Sequence, residues 1–216
     1  MPSSLLRTFP TTLLVATCSL LAFASPMLTQ LWQLEFDTAL GGQPWRLLTG
    51  HLTHYGVGHL FWDLLMFVVL AAACEGQHRR VFAPSLLLMA AGISISLGLL
   101  RTDIAVYRGL SGVDTGLFVW FVADQAIGCL RRRQPGNAAL WLLPGAAVCG
   151  KLIFEIATGQ TLFVDSSRFT PLVESHLVGA AIGLVLASGC AIGKCRVFEN
   201  HALARINGPA SVAAGD

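Results

Sequence analysis

Apolar residues run along this chain in six long stretches, separated by shorter segments that hold most of the charged residues. Each stretch approaches the roughly 20 residues that an α-helix needs to cross the apolar part of a bilayer. The stretches cover residues 11–28, 59–75, 81–100, 111–130, 138–159 and 172–193. The pattern therefore predicts an all-α membrane protein, a bundle of six transmembrane helices.

The six stretches leave no room for a separate soluble domain. The expected organisation is one membrane domain over 11–193, a short N-terminal segment 1–10 and a disordered tail 194–216. The longest connection, 29–58, is rich in Trp, Leu and Phe, which predicts a position at the membrane interface. The first stretch has a second interpretation, because Arg7, an apolar run and Ala22-Phe23-Ala24 also resemble a cleaved secretory signal.

Composition supports the membrane assignment. Hydrophobic residues make up 54% of the chain and charged residues 12%, about half of the roughly 25% that is usual in soluble domains. These proportions exclude a soluble globular domain and an intrinsically disordered chain. A net charge of +2 gives no argument for a nucleic-acid partner, so the expected surroundings are the lipid bilayer.

Basic residues predict the orientation. Nine Lys and Arg residues fall on the side that holds both termini, and four fall in the loops of the other side. Cytoplasmic loops carry the excess of basic residues in membrane proteins. Both termini are therefore predicted to be cytoplasmic, and the first, third and fifth loops to face outward.

Three polar residues are predicted to reach the same depth of the membrane. His59, Ser111 and His176 each lie in the first turn or two of a helix that enters from the outer face. Ionisable groups inside membrane spans are costly and mark functional sites. The coincidence of two histidines and a serine at one shallow level predicts a catalytic centre.

The serine stands in a favourable local sequence, Gly109-Leu110-Ser111-Gly112. Glycine lets a backbone approach a substrate closely, and the N–H groups at a helix N-terminus can stabilise an oxyanion. The alternative is that these small residues serve only helix packing.

His176 precedes a stripe of small residues, Gly179 and Gly183, which allows another helix to approach closely. If that face packs on the helix of Ser111, the imidazole points at the serine. The alternative is a structural histidine that is hydrogen-bonded between helices.

The remaining polar residues of the spans suggest no metal site. The cluster of His51, His54 and His59 has no metal-binding spacing, and no cysteines form a CxxC pair. We therefore expect neither metal nor cofactor. Lys151 and Glu155 are spaced for an ion pair on one helix.

Other intramembrane charges allow a second function class, a small transporter or channel. Its polar path would use Asp63, Asp114, Asp124, Lys151 and Glu155. Such proteins use discontinuous helices or inverted repeats, and the sequence contains neither. Asp124 is expected to have a polar partner on another helix.

Several of these motifs together resemble the rhomboid family of intramembrane serine proteases. They are Trp45-Arg46, Thr49, His54, the run His59-Leu60-Phe61-Trp62-Asp63, Gly109-Leu110-Ser111-Gly112, His176 and the Gly179/Gly183 stripe. The resemblance spans roughly residues 43–190, and the sequence around the second helix is most similar to the rhombosortase branch.

The resemblance implies a Ser–His dyad with no acidic third member. Ser111 attacks the scissile carbonyl, and His176 moves the proton. Backbone N–H groups near Leu110 and Ser111 and the His59 side chain hold the oxyanion, with Gly109 and Gly112 shaping the loop.

Two positions depart from the family pattern. Asp63 stands where the family commonly has Asn; it either donates as a protonated acid or orients His59, and we favour the orienting role. Thr115 stands where a Tyr often supports the catalytic His, so another group must position His176, and Asp114 is a candidate.

The resemblance also implies substrates and location. The substrates are transmembrane proteins with a C-terminal apolar helix, of the Gly-Gly sorting type. The location is the bacterial inner membrane, with the active site open to the outer, periplasmic side. The alternative is a non-catalytic rhomboid-like protein that binds or escorts membrane clients.

Overall fold

The computed structural model describes residues 8–160 and 172–206, and within them it is all-helical apart from one β-bridge between Leu34 and Tyr107. The helices are α1 Pro10–Ala24, α2 Pro26–Trp32, α3 Phe36–Leu40, α4 Arg46–Thr49, α5 Val57–Leu100, α6 Ser111–Arg131, α7 Pro135–Leu140, α8 Leu142–Thr158 and α9 Val173–Ile206, with a 3₁₀ turn at Gly50–Leu52. The predicted all-α class is confirmed.

Four helical segments are long and apolar enough to cross a membrane. They are Val57–Leu100, Ser111–Arg131, Pro135–Thr158 and Val173–Cys190. A fifth is added if α1 and α2, which are bent by 117° at their junction, form one span. The chain is thus an integral membrane protein, and the count of six spans and the side of the termini remain predictions.

The helix α5 is two antiparallel helices joined at a break. Its 44 residues would extend about 66 Å, twice the apolar thickness of a bilayer, and the backbone leaves helical geometry at His78 (φ −129°, ψ 38°). Three contacts with α6 follow this reversal. Asp63 contacts Leu110 at the start of α6, and His78 contacts Asp124 further along α6. Met89, beyond the break, lies next to Gly116, near the start of α6 again. The two halves correspond to the stretches 59–75 and 81–100.

The break also explains the intramembrane carboxylate of α6. His78 Nε2 lies 3.1 Å from Asp124 Oδ2, and both side chains are buried. The expected partner of Asp124 is therefore the histidine at which α5 changes direction.

Helices α6 and α9 are in backbone contact through glycine. A Cβ on Gly179 would lie 2.0 Å from the carbonyl oxygen of Gly112, and a Cβ on Gly183 would lie 2.1 Å from that of Gly116. No side chain fits at either distance, so the close approach of the two helices depends on glycine. This contact lies directly below Ser111 and His176.

The connection between α1 and α5 is held together by one buried arginine. The Arg46 guanidinium donates to the carbonyl oxygens of Gln30 (2.9 Å) and Gln33 (2.7 Å) and to Gln43 Oε1 (2.8 Å). The bridge from Leu34 to Tyr107 then joins this connection to the loop before Ser111.

The N-terminus of α1 is capped by a carboxylate on α5. Glu75 accepts hydrogen bonds from the N–H groups of Thr11 and Thr12, each at 2.9 Å, and from the Thr12 hydroxyl at 2.7 Å. These contacts satisfy N–H groups that have no partner inside the helix.

The last helix differs from the predicted boundary. The sequence predicts that the span ends at residue 193, and α9 continues to Ile206. Residues 1–7 of the predicted N-terminal segment 1–10 and residues 207–216 of the predicted tail 194–216 lie outside the described residues.

Candidate active site

Ser111 is the first residue of α6, and the loop before it is pressed against His59. Gly109 has a φ of +118°, and a Cβ there would lie 2.7 Å from His59 Nε2. An L side chain is disfavoured by this φ and excluded by this distance. Glycine at position 109 thus brings the backbone before the serine into contact with the imidazole.

Asp63 contacts three groups around the loop that precedes Ser111. Its Oδ2 accepts the Leu110 N–H at 2.8 Å and lies 3.2 Å from His59 Nε2 and 3.3 Å from His54 Nε2. An oxygen with one N–H donor and two imidazole nitrogens around it acts as an acceptor. This geometry favours the role in which Asp63 orients His59.

The same contact changes the expected set of oxyanion donors. The Leu110 N–H, which the resemblance assigns to an oxyanion, is engaged by Asp63. Ser111 is the first residue of the helix, where the N–H has no partner within the helix. The Ser111 N–H is therefore the better placed of the two backbone donors.

His176 is brought to Ser111 by the meeting of α6 and α9. A Cβ on Gly112 would lie 3.0 Å from the carbonyl oxygen of Ser175, so the residue after the serine touches the residue before the histidine. His176 is buried. No hydrogen bond from the Ser111 hydroxyl to His176 is formed in the described structure; such catalytic contacts are often long until substrate binds.

The second ring nitrogen of His176 has a carboxylate partner on α8. His176 Nδ1 lies 2.8 Å from Glu155 Oε2, and Glu155 Oε1 lies 2.7 Å from Lys151 Nζ. The expected ion pair of Lys151 with Glu155 is present. The further contact of Glu155 with His176 was not predicted. A signal for it exists in the sequence, because Glu155 lies three residues before the end of α8, at the depth of the site.

Asp114 does not support His176. Its carboxylate is buried, and Oδ1 has no hydrogen-bond partner among the described residues. The sequence offers Asp114 as a candidate to position His176, and in the structure the carboxylate in contact with His176 Nδ1 is that of Glu155 on another helix. Thr115 donates its hydroxyl proton to the Ser111 carbonyl oxygen at 2.9 Å.

His51 anchors the connection beneath the site. Ser94 donates its hydroxyl proton to Leu47 at 2.6 Å, so His51 Nε2 must carry the proton that it shares with Ala90 O (2.9 Å) and Ser94 Oγ (3.0 Å). Burial lowers the pKa of His51 to about 4, which keeps the ring neutral. Within residues 8–160 and 172–206, no group of three His, Cys, Asp or Glu is arranged to hold a metal ion.

The arrangement suits acyl transfer. It combines a serine at an open helix N-terminus, a neighbouring histidine, and a carboxylate that binds the far side of that histidine. Nucleophilic serine needs an adjacent base, and N–H groups at a helix N-terminus can stabilise the negative charge of a tetrahedral intermediate.

No curated protein matches the chain significantly. The family model described as Rhomboid domain matches residues 41–191, a segment that contains Ser111, His176, His59, Asp63 and Glu155. Rhomboid proteins are generally intramembrane serine proteases, and some rhomboid-like members are inactive. Since the match covers well over half of the sequence, the chain belongs to the rhomboid family.

Proposed function

We propose that this rhomboid protein is an active intramembrane serine endopeptidase with Ser111 as nucleophile and His176 as general base and acid. The observation that carries the proposal is the contact between Gly112 and Ser175, at 3.0 Å for a Cβ on the glycine. This contact supports the proposal, because the residue after Ser111 meets the residue before His176 at the starts of two helices from distant parts of the chain.

The acylation step follows from these positions. Ser111 Oγ forms a bond to the scissile carbonyl carbon while its proton moves to His176 Nε2, and the carbonyl oxygen becomes an oxyanion. When the carbonyl reforms, the C–N bond breaks and the leaving amine takes the proton from His176. Water or another acceptor then resolves the acyl-enzyme.

The oxyanion would be held at the N-terminus of α6. The proposed backbone donor is the Ser111 N–H. The proposed side-chain donor is His59 through Nδ1, because Asp63 faces its Nε2; a ring that donates at both nitrogens is the imidazolium form. Donors fixed before the reaction stabilise developing charge without reorganisation.

The proposed topology has six spans and two cytoplasmic termini. Both halves of α5 count as spans, and so does α1. The bias of Lys and Arg toward the terminal side supports this orientation. In a bacterial inner membrane, the starts of α5, α6 and α9, and the site with them, then open to the periplasmic side.

We further propose that the substrates are membrane proteins with a C-terminal sorting segment of the Gly-Gly type. A helical substrate satisfies all its backbone groups internally, so its helix must open before a carbonyl reaches Ser111. Glycine next to an apolar helix eases that opening. The sequence resemblance to the rhombosortase branch supports this substrate class.

The test is the rate of labelling by a fluorophosphonate probe in detergent. The wild type should be labelled. Ser111→Ala removes the nucleophile and should abolish labelling, and His176→Ala should lower the rate by at least about 1,000-fold, because the base is lost. Ser188→Ala is the matched control: Ser188 is exposed on α9 and its hydroxyl donates to Leu184 of the same helix, so labelling should be unchanged.

A folded wild type that takes no label would refute the protease proposal. It would leave the binding or escort of membrane clients as the function, which co-purification with a bound membrane protein would support. Equal labelling of wild type and Ser111→Ala would show that the reactive residue is a different one.

A further inference from the structure

Glu155 is the least exposed of the described carboxylates around the proposed site. Its side chain is 1% exposed, and both of its oxygens are engaged, Oε2 with His176 Nδ1 and Oε1 with Lys151 Nζ. A buried carboxylate is costly unless such partners compensate it. The cost implies a role beyond helix packing.

The hydrogen positions at His176 follow from these partners. An ammonium group only donates, and an ionised carboxylate only accepts. Lys151 Nζ lies 3.4 Å from His176 Nδ1 and 2.7 Å from Glu155 Oε1, whereas the Glu155 carboxylate, which can only accept, makes the shorter contact with Nδ1. Nδ1 therefore carries a hydrogen that it donates to Glu155 Oε2 at 2.8 Å.

We propose that Glu155 is a positioning residue that completes a Ser–His–Glu arrangement in this protein; the proposal rests on the protease function proposed above. With its hydrogen on Nδ1, His176 presents the unprotonated Nε2 as the base for Ser111. The carboxylate also stabilises the imidazolium that forms when the serine gives up its proton. The two-residue scheme implied by the family resemblance is thus extended by a residue of α8.

Lys151 has a supporting part in this arrangement. It lies one turn before Glu155, and its side chain is 24% exposed, so the ammonium neutralises the buried carboxylate while keeping contact with polar surroundings. Without the ammonium, the Glu155 charge would be compensated by His176 alone.

The other charges nearby do not replace Glu155. Asp114 on α6 is buried near Lys151, and its Oδ1 has no hydrogen-bond partner among the described residues. Glu174, two residues before His176, is committed to Arg101 at 2.9 Å. Glu174 therefore offers a matched control, the same residue type in an ion pair close to His176 along the chain but bound to a different partner.

The experiment measures saturation kinetics of fluorophosphonate labelling for Glu155→Gln, Glu155→Asp and Glu174→Gln. A glutamine amide can donate to Nδ1 and so favours the wrong tautomer. We expect Glu155→Gln to lower the maximal labelling rate by at least about 100-fold, in line with the loss of a triad carboxylate, while the probe concentration at half-saturation stays unchanged. Glu174→Gln should label like the wild type.

The aspartate variant separates positioning from structure. Glu155→Asp keeps a carboxylate, one methylene further from the ring. Its maximal labelling rate should therefore be at least about tenfold higher than that of Glu155→Gln. Thermal unfolding of each variant in detergent gives the structural effect. If Glu155→Gln does not fold, the double variant Lys151→Met with Glu155→Gln leaves no unpaired charge and is measured instead.

A Glu155→Gln rate within about threefold of wild type would overturn the proposal and leave the Ser111–His176 mechanism standing. Aspartate and glutamine variants with equally low rates, each matched by a lower unfolding temperature, would show that Glu155 acts on the fold alone. A folded wild type without Ser111-dependent labelling would instead reject the protease function, and this proposal with it.

Discussion

At the scale of single residues, two buried carboxylates contact the groups around the proposed nucleophile. Asp63 holds the Leu110 N–H and faces His59, and Glu155 holds His176. Each acid lies against one ring nitrogen of an imidazole, Asp63 against His59 Nε2 and Glu155 against His176 Nδ1. The residues on either side of Leu110 and Ser111 thus meet two histidine-bearing segments: Gly109 meets His59, and Gly112 meets Ser175, the residue before His176.

Replacement of Asp63 by asparagine tests the first of these contacts. The asparagine side chain keeps one oxygen that accepts hydrogen bonds. Its NH₂ group, which only donates, would replace the second oxygen and could not accept from an imidazole N–H or from the Leu110 N–H. The loss of a hydrogen bond to a charged group should lower the labelling rate by about 10- to 100-fold. The measurement is the fluorophosphonate labelling rate of Asp63→Asn beside Asp103→Asn.

Asp103 is the matched control because it is an exposed aspartate bound to Arg101. Its asparagine variant should label at the wild-type rate. If Asp63→Asn also labels at that rate, Asp63 is not needed to orient His59, and a role as a donor to the oxyanion fits better.

At the scale of helices, the decisive contact is the glycine interface of α6 and α9. It holds Ser111 and His176 in register, because Gly112 and Gly116 on one helix meet Gly179 and Gly183 on the other. A side chain at Gly179 or Gly183 would separate the helices and move the proposed base, His176, away from the proposed nucleophile, Ser111.

We therefore expect Gly179→Ala to destabilise the protein by about 1 to 3 kcal/mol, the usual range for overpacking, and to lower the labelling rate. A Cβ there meets the Gly112 carbonyl oxygen at 2.0 Å. Gly189→Ala on the same helix meets nothing within 4 Å and should stabilise by about 0.5 to 1 kcal/mol. Thermal unfolding in detergent compares the two; equal effects would mean that the interface tolerates a methyl group.

The sequence predicted those features that depend on position along one helix. Ser111, His59 and His176 lie in the first turns of their helices, and the break at His78 falls between the predicted second and third spans. The contacts of Glu155, Glu75 and Arg46 could not be predicted, because each depends on how a helix is rotated about its axis. In a span that is apolar all round, periodicity does not define that rotation.

At the scale of the whole molecule, the chain reverses within α5 and returns to the level of the site. Leu100 ends this return, and Arg101 then pairs with Glu174 at the start of α9. The loop after α5 and the starts of α6 and α9 consequently share one end of the bundle. The side of the membrane that this end faces follows from the charge bias alone.

Fusions to alkaline phosphatase test that orientation, since the enzyme needs disulfides that form outside the cytoplasm. A fusion after Asp103 should be active, and a fusion after Gln134, which follows three arginines, should be inactive. The opposite pattern would place the site on the cytoplasmic side, and activity at both points would reject the proposed number of spans.

The cap on α1 has a consequence for the order in which the protein is made. The N–H and hydroxyl of Thr12 bond to a carboxylate 63 residues further along the chain. At a synthesis rate of about 5 to 20 residues per second, Glu75 is made roughly 3 to 13 seconds after Thr12. During that interval the N–H groups at the start of α1 lack Glu75 as their hydrogen-bond acceptor. The cap on α1 therefore forms only after the first half of α5 has been made.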